Sequence, residues 1–322
     1  MGLNIGIVVV VVTITWVGGR GMRASDTEIW NGQVIGKAKV WTSCEHSYQC
    51  NPYPCMCDDK GSCSTCWNTC YDHSNDWNWA VKTDVGDFNI ARIDSQGRRE
   101  PSRWTKVQAG QPVAQQRSFV NYIKAAPDSL FHKKGSLREQ FAKHLPAYPH
   151  VYDYHYADRV IPVGVKVADI ADWNNKLALI LRKLGPQKQA NVIVVLVGFA
   201  GDEYSYALEE HWLGGKKNDV IVVLGVPEYP KVSWARVVSW TDKEIFKVAL
   251  RDALLDMKTL EADKVISAIE RHVTESFVRK PMADFEYLWA EVRPPMWITV
   301  LSFMLAIFGS MGLTLVFHRS NI

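Results

Sequence analysis

Outside residues 44–70 this chain has no cysteine, and inside that window it has seven. Any disulfide or metal framework is therefore confined to one short piece, and the rest of the chain must fold by burying apolar surface. Net charge is also scarce, +3 over 322 residues. So small a balance gives no broad positive field for a polyanion, and no nucleic-acid partner is expected. Catalytic signatures are missing as well. There is no Gly-x-x-x-x-Gly-Lys-Ser/Thr phosphate loop, no Gly-x-Ser-x-Gly elbow, no His-Glu-x-x-His pair and no Gly-x-Gly-x-x-Gly fingerprint. These absences count against a common enzyme class and favour an interaction protein, with a protein partner or a second copy of the chain as its target.

Two apolar segments lie at the ends. Ile5–Val17 is continuous and short, the length of a signal-peptide core, and Val17-Gly18-Gly19 offers small or modest residues where a signal peptidase would cut. No basic residue precedes the run, and Arg20 and Arg23 follow it, which fits an uncut anchor. Residues 1–19 are thus read as a signal peptide or an N-terminal membrane anchor. Met296–Phe317 carries no charge and is long enough to cross a bilayer as a helix at about 1.5 Å per residue. Pro294-Pro295 marks its start, Trp297 is an interfacial aromatic, and His318-Arg319 closes it before a short tail, 318–322. The expectation is a membrane protein, single-pass by the C-terminal helix or two-pass if the first segment stays. Its bulk would be extracytoplasmic (periplasmic).

The cysteines follow Cys-x5-Cys-x4-Cys-x-Cys-x5-Cys-x2-Cys-x3-Cys, from Cys44 through Cys50, Cys55, Cys57, Cys63 and Cys66 to Cys70. The window holds Pro52, Pro54 and Gly61 and no apolar periodicity, so cross-links must hold it. A signal-bearing chain favours three disulfides and one leftover thiol. The alternative is zinc on four of Cys55, Cys57, Cys63, Cys66 and Cys70, with His46 or His73, in a cytoplasm-facing protein. Pairing among even six cysteines has fifteen solutions, so connectivity is open.

Residues 25–150 are read as this Cys-rich module plus a β-rich domain. Trp77–Thr83 and Phe88–Ile93 alternate, and Trp104–Gln108 is a third strand candidate. Arg98, Arg99, Arg103 and Lys106 form a basic face, more simply a solvated strand edge than a phosphate site. His144, His150 and His155 near Asp153 and Asp158 fit no metal motif and read as loop aromatics.

Residues 155–290 read as an α/β domain. Asn191–Val197 and Val220–Leu224 are almost purely apolar and β-branched, as strands buried on both faces are. Between them Ala207, Leu208 and Trp212 lie on one face of a helix that Gly214-Gly215 ends. Trp173–Leu184 and the amphipathic Asp263–Val278 flank this unit, and Val232–Trp240 is a third strand.

Trp212, Gly214, Lys216, Asn218, Asp219 and the strand Val220–Leu224, with the flanking elements, resemble the TPM domain family over roughly Ala168–Leu288. The family's Gly-rich segment near the third strand is absent here, where Trp234–Trp240 has no Gly. The resemblance implies an α/β/α sandwich on an extracytoplasmic, membrane-held domain, and Gly214, Gly215, Asn218 and Asp219 as a structural turn. Some members are similar to low-activity acid phosphatases or metal-binding accessory proteins.

A ligand of a parallel sheet sits at the carboxyl ends of its strands. Asp202 and Glu203 follow the first strand, Glu228 the second and Asp242 the third. If all strands run parallel, these carboxylates converge and suit Ca²⁺ or Mg²⁺, which a divalent-metal-dependent phosphatase of low activity would use. Otherwise Asp202 and Asp242 serve as helix caps and Glu203 and Glu228 face water.

Overall fold

The computed structural model describes residues 2–57, 59, 61–126, 136–151 and 158–319. Its described residues fall into two compact units. One holds those of Met1–Asn31, Gln116–Tyr152 and Ala157–Ile322, and the other those of Gly32–Gln115. β1 (Ser25–Thr42) and β6 (Pro112–Val120) are each divided between the units.

The larger unit is α/β. Its sheet has the order β10-β9-β8-β7, with β7 (Val160–Val163), β8 (Asn191–Val197), β9 (Asp219–Gly225) and β10 (Trp234–Ser239). β7, β8 and β9 are parallel, with Asn191 opposite Asp219, as their helical crossovers require. β10 is antiparallel to β9 and forms one edge.

Alternation along the strands builds two cores. Val192, Val194 and Leu196 of β8 and Val220, Val222 and Leu224 of β9 point to one face. There they meet α5 (Ile170–Lys188), α7 (Glu244–Asp256) and α8 (Ala262–Ser276) through Trp173, Leu177, Phe246, Leu250, Val265 and Ile269. Ile193, Val195, Val197, Ile221 and Val223 point to the other face. Tyr204 and Leu208 of α6 (Glu203–His211), and Trp212 after it, cover that face. Helices thus cover both faces, which is why both central strands are buried at every position.

In the smaller unit, β4 (Asp76–Thr83) pairs with β1 and with β5 (Phe88–Ile90), both antiparallel. The piece around Trp104, expected as a strand, is instead the short helix α2 (Ser102–Thr105). Trp104 explains this by turning its indole inward, donating from Nε1 to Ala80 O at 3.0 Å and packing on Trp79 at 4.8 Å. The cysteine window is a hairpin of β2 (Ser47–Cys55) and β3 (Ser64–Tyr71). Three bridges clasp it: Cys50–Cys70, Cys55–Cys66 and Cys57–Cys63. Most hairpin residues are exposed, so the bridges hold what a core cannot. Cys44 stays free and buried. The alternative zinc set among Cys55, Cys57, Cys63, Cys66 and Cys70 does not form, because all five sulfurs are paired in disulfides.

Short helices punctuate the connections. α3 (Tyr122–Ala125) is capped by Asn121, whose side chain accepts from Lys124 N at 3.0 Å. α4 (Ser136–Gln140) and a 3-10 turn at Ala142–His144 follow, and a 3-10 segment at Met282–Glu291 leads to α9 (Met296–Arg319). Residues 2–24 form one helix, α1 (Gly2–Ala24), that packs along α9.

Phe246 is fully buried against Phe277, and its neighbour Ile245 is 70% exposed. Phe246→Ala is expected to cost about 3–5 kcal/mol. Ile245→Ala is expected to stay within about 0.5 kcal/mol of the parent. Urea unfolding followed by tryptophan fluorescence checks both, and equal effects would contradict this assignment of the buried face.

Candidate functional sites

The four carboxylates expected to hold Ca²⁺ or Mg²⁺ are not brought together. Asp202 and Glu203 follow β8 and Glu228 follows β9, but β10 runs the other way, so Asp242 falls at the opposite end of the sheet. All four are exposed. Asp202 stands at the N-cap of α6 without a side-chain cap bond; its carbonyl takes Ser205 N–H and Oγ. Glu228 pairs with Lys231 at 3.2 Å in solvent. Asp242 does not cap α7, whose N-cap is Lys243. Thr241 Oγ1 accepts from Lys243 N there instead.

The turn residues Gly214, Gly215, Asn218 and Asp219 lead to a buried polar network at the other end of the parallel strands. Gly214 and Gly215 have φ of +75° and +80°. A Cβ on Gly215 would stand 2.7 Å from Ile221 Cδ1 and 2.9 Å from Asp219 Oδ2, so only glycine lets the turn close. Asp219 is fully buried, and its carboxylate accepts from Lys216 N at 2.7 Å, Asn191 Nδ2 at 2.8 Å and Tyr148 OH at 2.8 Å. Burial pushes its pKa up to about 6, against the pull of these donors and of Lys216. Burial and the Asp219 charge raise the Tyr148 phenol well above its ordinary value, so it stays a donor.

The start of β1 is tied into the same network. Asn31 Nδ2 donates to Asn191 Oδ1 at 3.1 Å, and Asn218 Nδ2 donates to Ile29 O at 2.7 Å. Lys216 Nζ reaches Asp26 Oδ1 at 2.5 Å. Burial raises the Asp26 pKa, but Lys216, Asn121 and the Thr27 amide together hold the carboxyl below its usual value. Glu28, 2% exposed, takes two bonds from Arg279 at 2.6 and 2.7 Å. Asp26, Glu28 and Asn31 were missed by the sequence reading, which placed no strand at 25–42. Their only signal was a polar residue at every second or third position of a β-compatible run. The Asp219 carboxylate is satisfied on both oxygens and ties chain to chain, while Asn31 Oδ1 and Asn218 Oδ1 stay buried with no hydrogen-bond partner.

The histidine-rich loop behaves as packing. His144 lies against the Phe199 ring at 5.2 Å and its carbonyl accepts from Tyr204 OH, while His150 meets Tyr148 at 5.9 Å. Asp158 is exposed, and Asp153 and His155 lie outside the described residues.

A second polar cluster lies in the smaller unit. Cys44 Sγ is 3.7 Å from His73 Nδ1, which is 3.3 Å from Asp76 Oδ1. Among the described residues no other group of three or more Cys, His, Asp or Glu side chains has its ligating atoms converging. Asp76 is fully buried. Its Oδ2 accepts from Arg92 Nη1 at 3.0 Å and Glu45 N at 3.1 Å, whereas Oδ1 accepts no hydrogen bond of good geometry. Burial raises the Asp76 pKa, and the Glu45 amide, the Arg92 guanidinium and the nearby His73 ring together outweigh it, so the group is held below the ordinary carboxylate value.

A cleft of about 470 Å³ opens beside the edge strand β10, lined by Arg236, Val238, Trp240, Lys247, Lys280 and Phe285 among others. Arg236 spans it, paired with Glu209 and stacked 3.7 Å from the Tyr206 ring. The charges there are of both signs.

No family model, curated protein or solved structure matches this chain.

Asp219 binds its proton more tightly folded than unfolded, so it stabilises the fold at low pH and loses that contribution as pH rises from about 4 to about 6. The shift of roughly two units corresponds to about 3 kcal/mol. Subtracting the pH profile of Asp219→Asn from that of the parent is expected to leave this slope between pH 4 and 6. Parallel profiles would show that Asp219 titrates normally.

Proposed function

We propose that this protein is a membrane-anchored, extracytoplasmic interaction and assembly protein, held by two helices rather than one. The observation that carries the reading is the pairing of α1 with α9. α9 is long and apolar enough to cross a bilayer, with a mean hydropathy of 2.0 over Met296–Val316. α1 lies along it: Thr15 Oγ1 donates to Ser302 Oγ at 2.6 Å, and a Cβ on Gly19 would meet Pro294 at 2.7 Å. Away from that seam both helices expose apolar side chains, Val9, Ile14 and Val17 on one and Phe303, Ile307 and Phe308 on the other. Such a surface is at home in hydrocarbon. Thr13 and Thr15 donate to the carbonyls of Val9 and Val11, as hydroxyls in lipid need to.

α1 enters the fold and α9 leaves it at the same place, where Ala24, Ala125 and Val292 pack together. Both termini then lie across the bilayer from the folded units. Three disulfides support an oxidising surrounding for the hairpin that carries them. Arg20 and Arg23 argue for the reverse by charge alone. They are engaged by protein instead: Arg20 stacks 4.5 Å from the Trp289 ring and donates to its carbonyl, and Arg23 reaches Arg293 O at 3.5 Å. The TPM resemblance agrees with an extracytoplasmic domain. For the partner we favour the cleft beside β10, where an edge strand offers backbone groups next to mixed charge. A metal-dependent phosphatase gains no support, since Asp242 is separated from Asp202, Glu203 and Glu228 by the sheet.

The intact mass of protein purified from membranes without reductant is expected to include residues 1–19 and to lie about six hydrogens below the reduced chain. Loss of the first 19 residues or so would remove the two-helix anchor, and a fully reduced mass would move the folded units to the cytoplasm. A gentle pulldown from solubilised membranes that returns this chain alone, as a monomer, would argue against an assembly role.

A further inference from the structure

The six cysteines of the hairpin are oxidised in pairs, and the seventh is set apart from them. Cys44 is 8% exposed and faces His73 and Asp76. We propose that Cys44, His73 and Asp76 bind one tetrahedral divalent transition metal of the zinc class, through Sγ, Nδ1 and Oδ1, with the fourth position open to water. This site is independent of the membrane reading and of the carboxylates at the sheet.

Geometry supports it first. With Zn–S of about 2.3 Å, Zn–N of about 2.05 Å and Zn–O of about 2.0 Å, a tetrahedral angle puts S···N near 3.6 Å and N···O near 3.3 Å. The observed separations are 3.7 and 3.3 Å. A proton shared along a Cys–His–Asp relay does not fit, because sulfur and carboxylate both address the same ring nitrogen, Nδ1. A cation serves all three donors at once.

The surroundings agree. Asp76 Oδ2 is held by Arg92 Nη1 and Glu45 N, which fixes the carboxylate so that its unused, buried Oδ1 faces His73. Arg92 is itself fixed by Asn78 Oδ1 at 2.6 Å and Glu45 Oε1 at 3.3 Å. This is the outer-shell arrangement that orients a ligating carboxylate. His73 is the most exposed of the three, with 24% of its side chain accessible, and gives the way in. Sulfur, imidazole and one carboxylate together suit zinc rather than Ca²⁺ or Mg²⁺, which take oxygen alone. A metal also accounts for a thiol surviving beside three disulfides, since a ligated thiolate is withheld from exchange.

The test uses the full chain in detergent, purified without reductant and titrated with Co²⁺ and then Zn²⁺. About one Co²⁺ per chain is expected, with near-ultraviolet thiolate-to-cobalt absorption and the strong visible bands of tetrahedral cobalt, both abolished by Zn²⁺. Cys44→Ser is expected to remove the thiolate band and His73→Gln to prevent stoichiometric binding. A non-reduced mass retaining three disulfides certifies the fold of each variant. Arg92→Gln, which leaves every donor in place, is expected to weaken binding about 10–100-fold. Independently of any variant, Zn²⁺ is expected to protect Cys44 from alkylation in the parent chain. Unchanged cobalt spectra in Cys44→Ser and His73→Gln, or a parent chain with a free Cys44 thiol and neither a thiolate band nor protection, would overturn the site.

Discussion

The buried carboxylate of Asp219 is the constraint on which the larger unit depends. It begins β9, stands opposite Asn191 at the start of β8, and accepts from Asn191, Lys216 and Tyr148. Each donor belongs to a different segment. Asn191 fixes the neighbouring strand, the Lys216 amide closes the glycine turn after α6, and Tyr148 pins the loop that precedes β7. Through Asn31 and Asn218 the same set reaches β1, far away in sequence. Removing Asp219 would leave three buried donors without an acceptor, each costing about 1–3 kcal/mol. The apolar layers supply more free energy in total, but burial is non-directional. The carboxylate supplies register, since a one-residue slip of β9 would carry it to the other face of the sheet.

Where β1 is held, the end of α1 is held too. β1 follows α1 without a break, and Asp26, its second residue, is bonded to Lys216 and Asn121. Gly185 belongs to the same fitting: a Cβ there would stand 1.8 Å from Asn31 O, so α5 touches the β1 backbone directly. α1 is thus joined to the sheet through hydrogen-bonded main chain rather than through a loose linker.

The parts written in local pattern were legible. The β-branched runs Asn191–Val197 and Val220–Leu224, the glycines past α6, the amphipathic stretch from Asp263 and the charge-free C-terminal segment all became the elements their periodicity implied. Three disulfides with one spare thiol followed from composition and compartment. What stayed hidden is non-local. β1 inverts the usual pattern by burying Asp26, Glu28 and Asn31, and their burial makes sense only beside Lys216, Arg279 and Asn191. The direction of β10 is equally invisible in Trp234–Ser239, because a strand buried along most of its length reads alike either way. That direction decided where Asp242 stands. Cys44 and His73 were seen, but their meeting with Asp76 depends on how β1 and β4 pair, which no spacing rule encodes.

The two buried aspartates show how hydrogen-bond satisfaction separates structure from ligand binding. Asp219 has both oxygens bonded, Oδ1 by Asn191 and Oδ2 by Lys216, with Tyr148 bridging them. Asp76 has one oxygen saturated by Arg92 and Glu45 and the other in no good hydrogen bond. Arg92 and Glu45 compensate the buried charge through Oδ2, and Oδ1 is left with the His73 ring nitrogen at 3.3 Å as its near neighbour. The apolar alternative was open to a chain that fills its cores with valine. An acid kept at that position, with a thiol and an imidazole turned toward its vacant oxygen, is explained by a cation that needs all three.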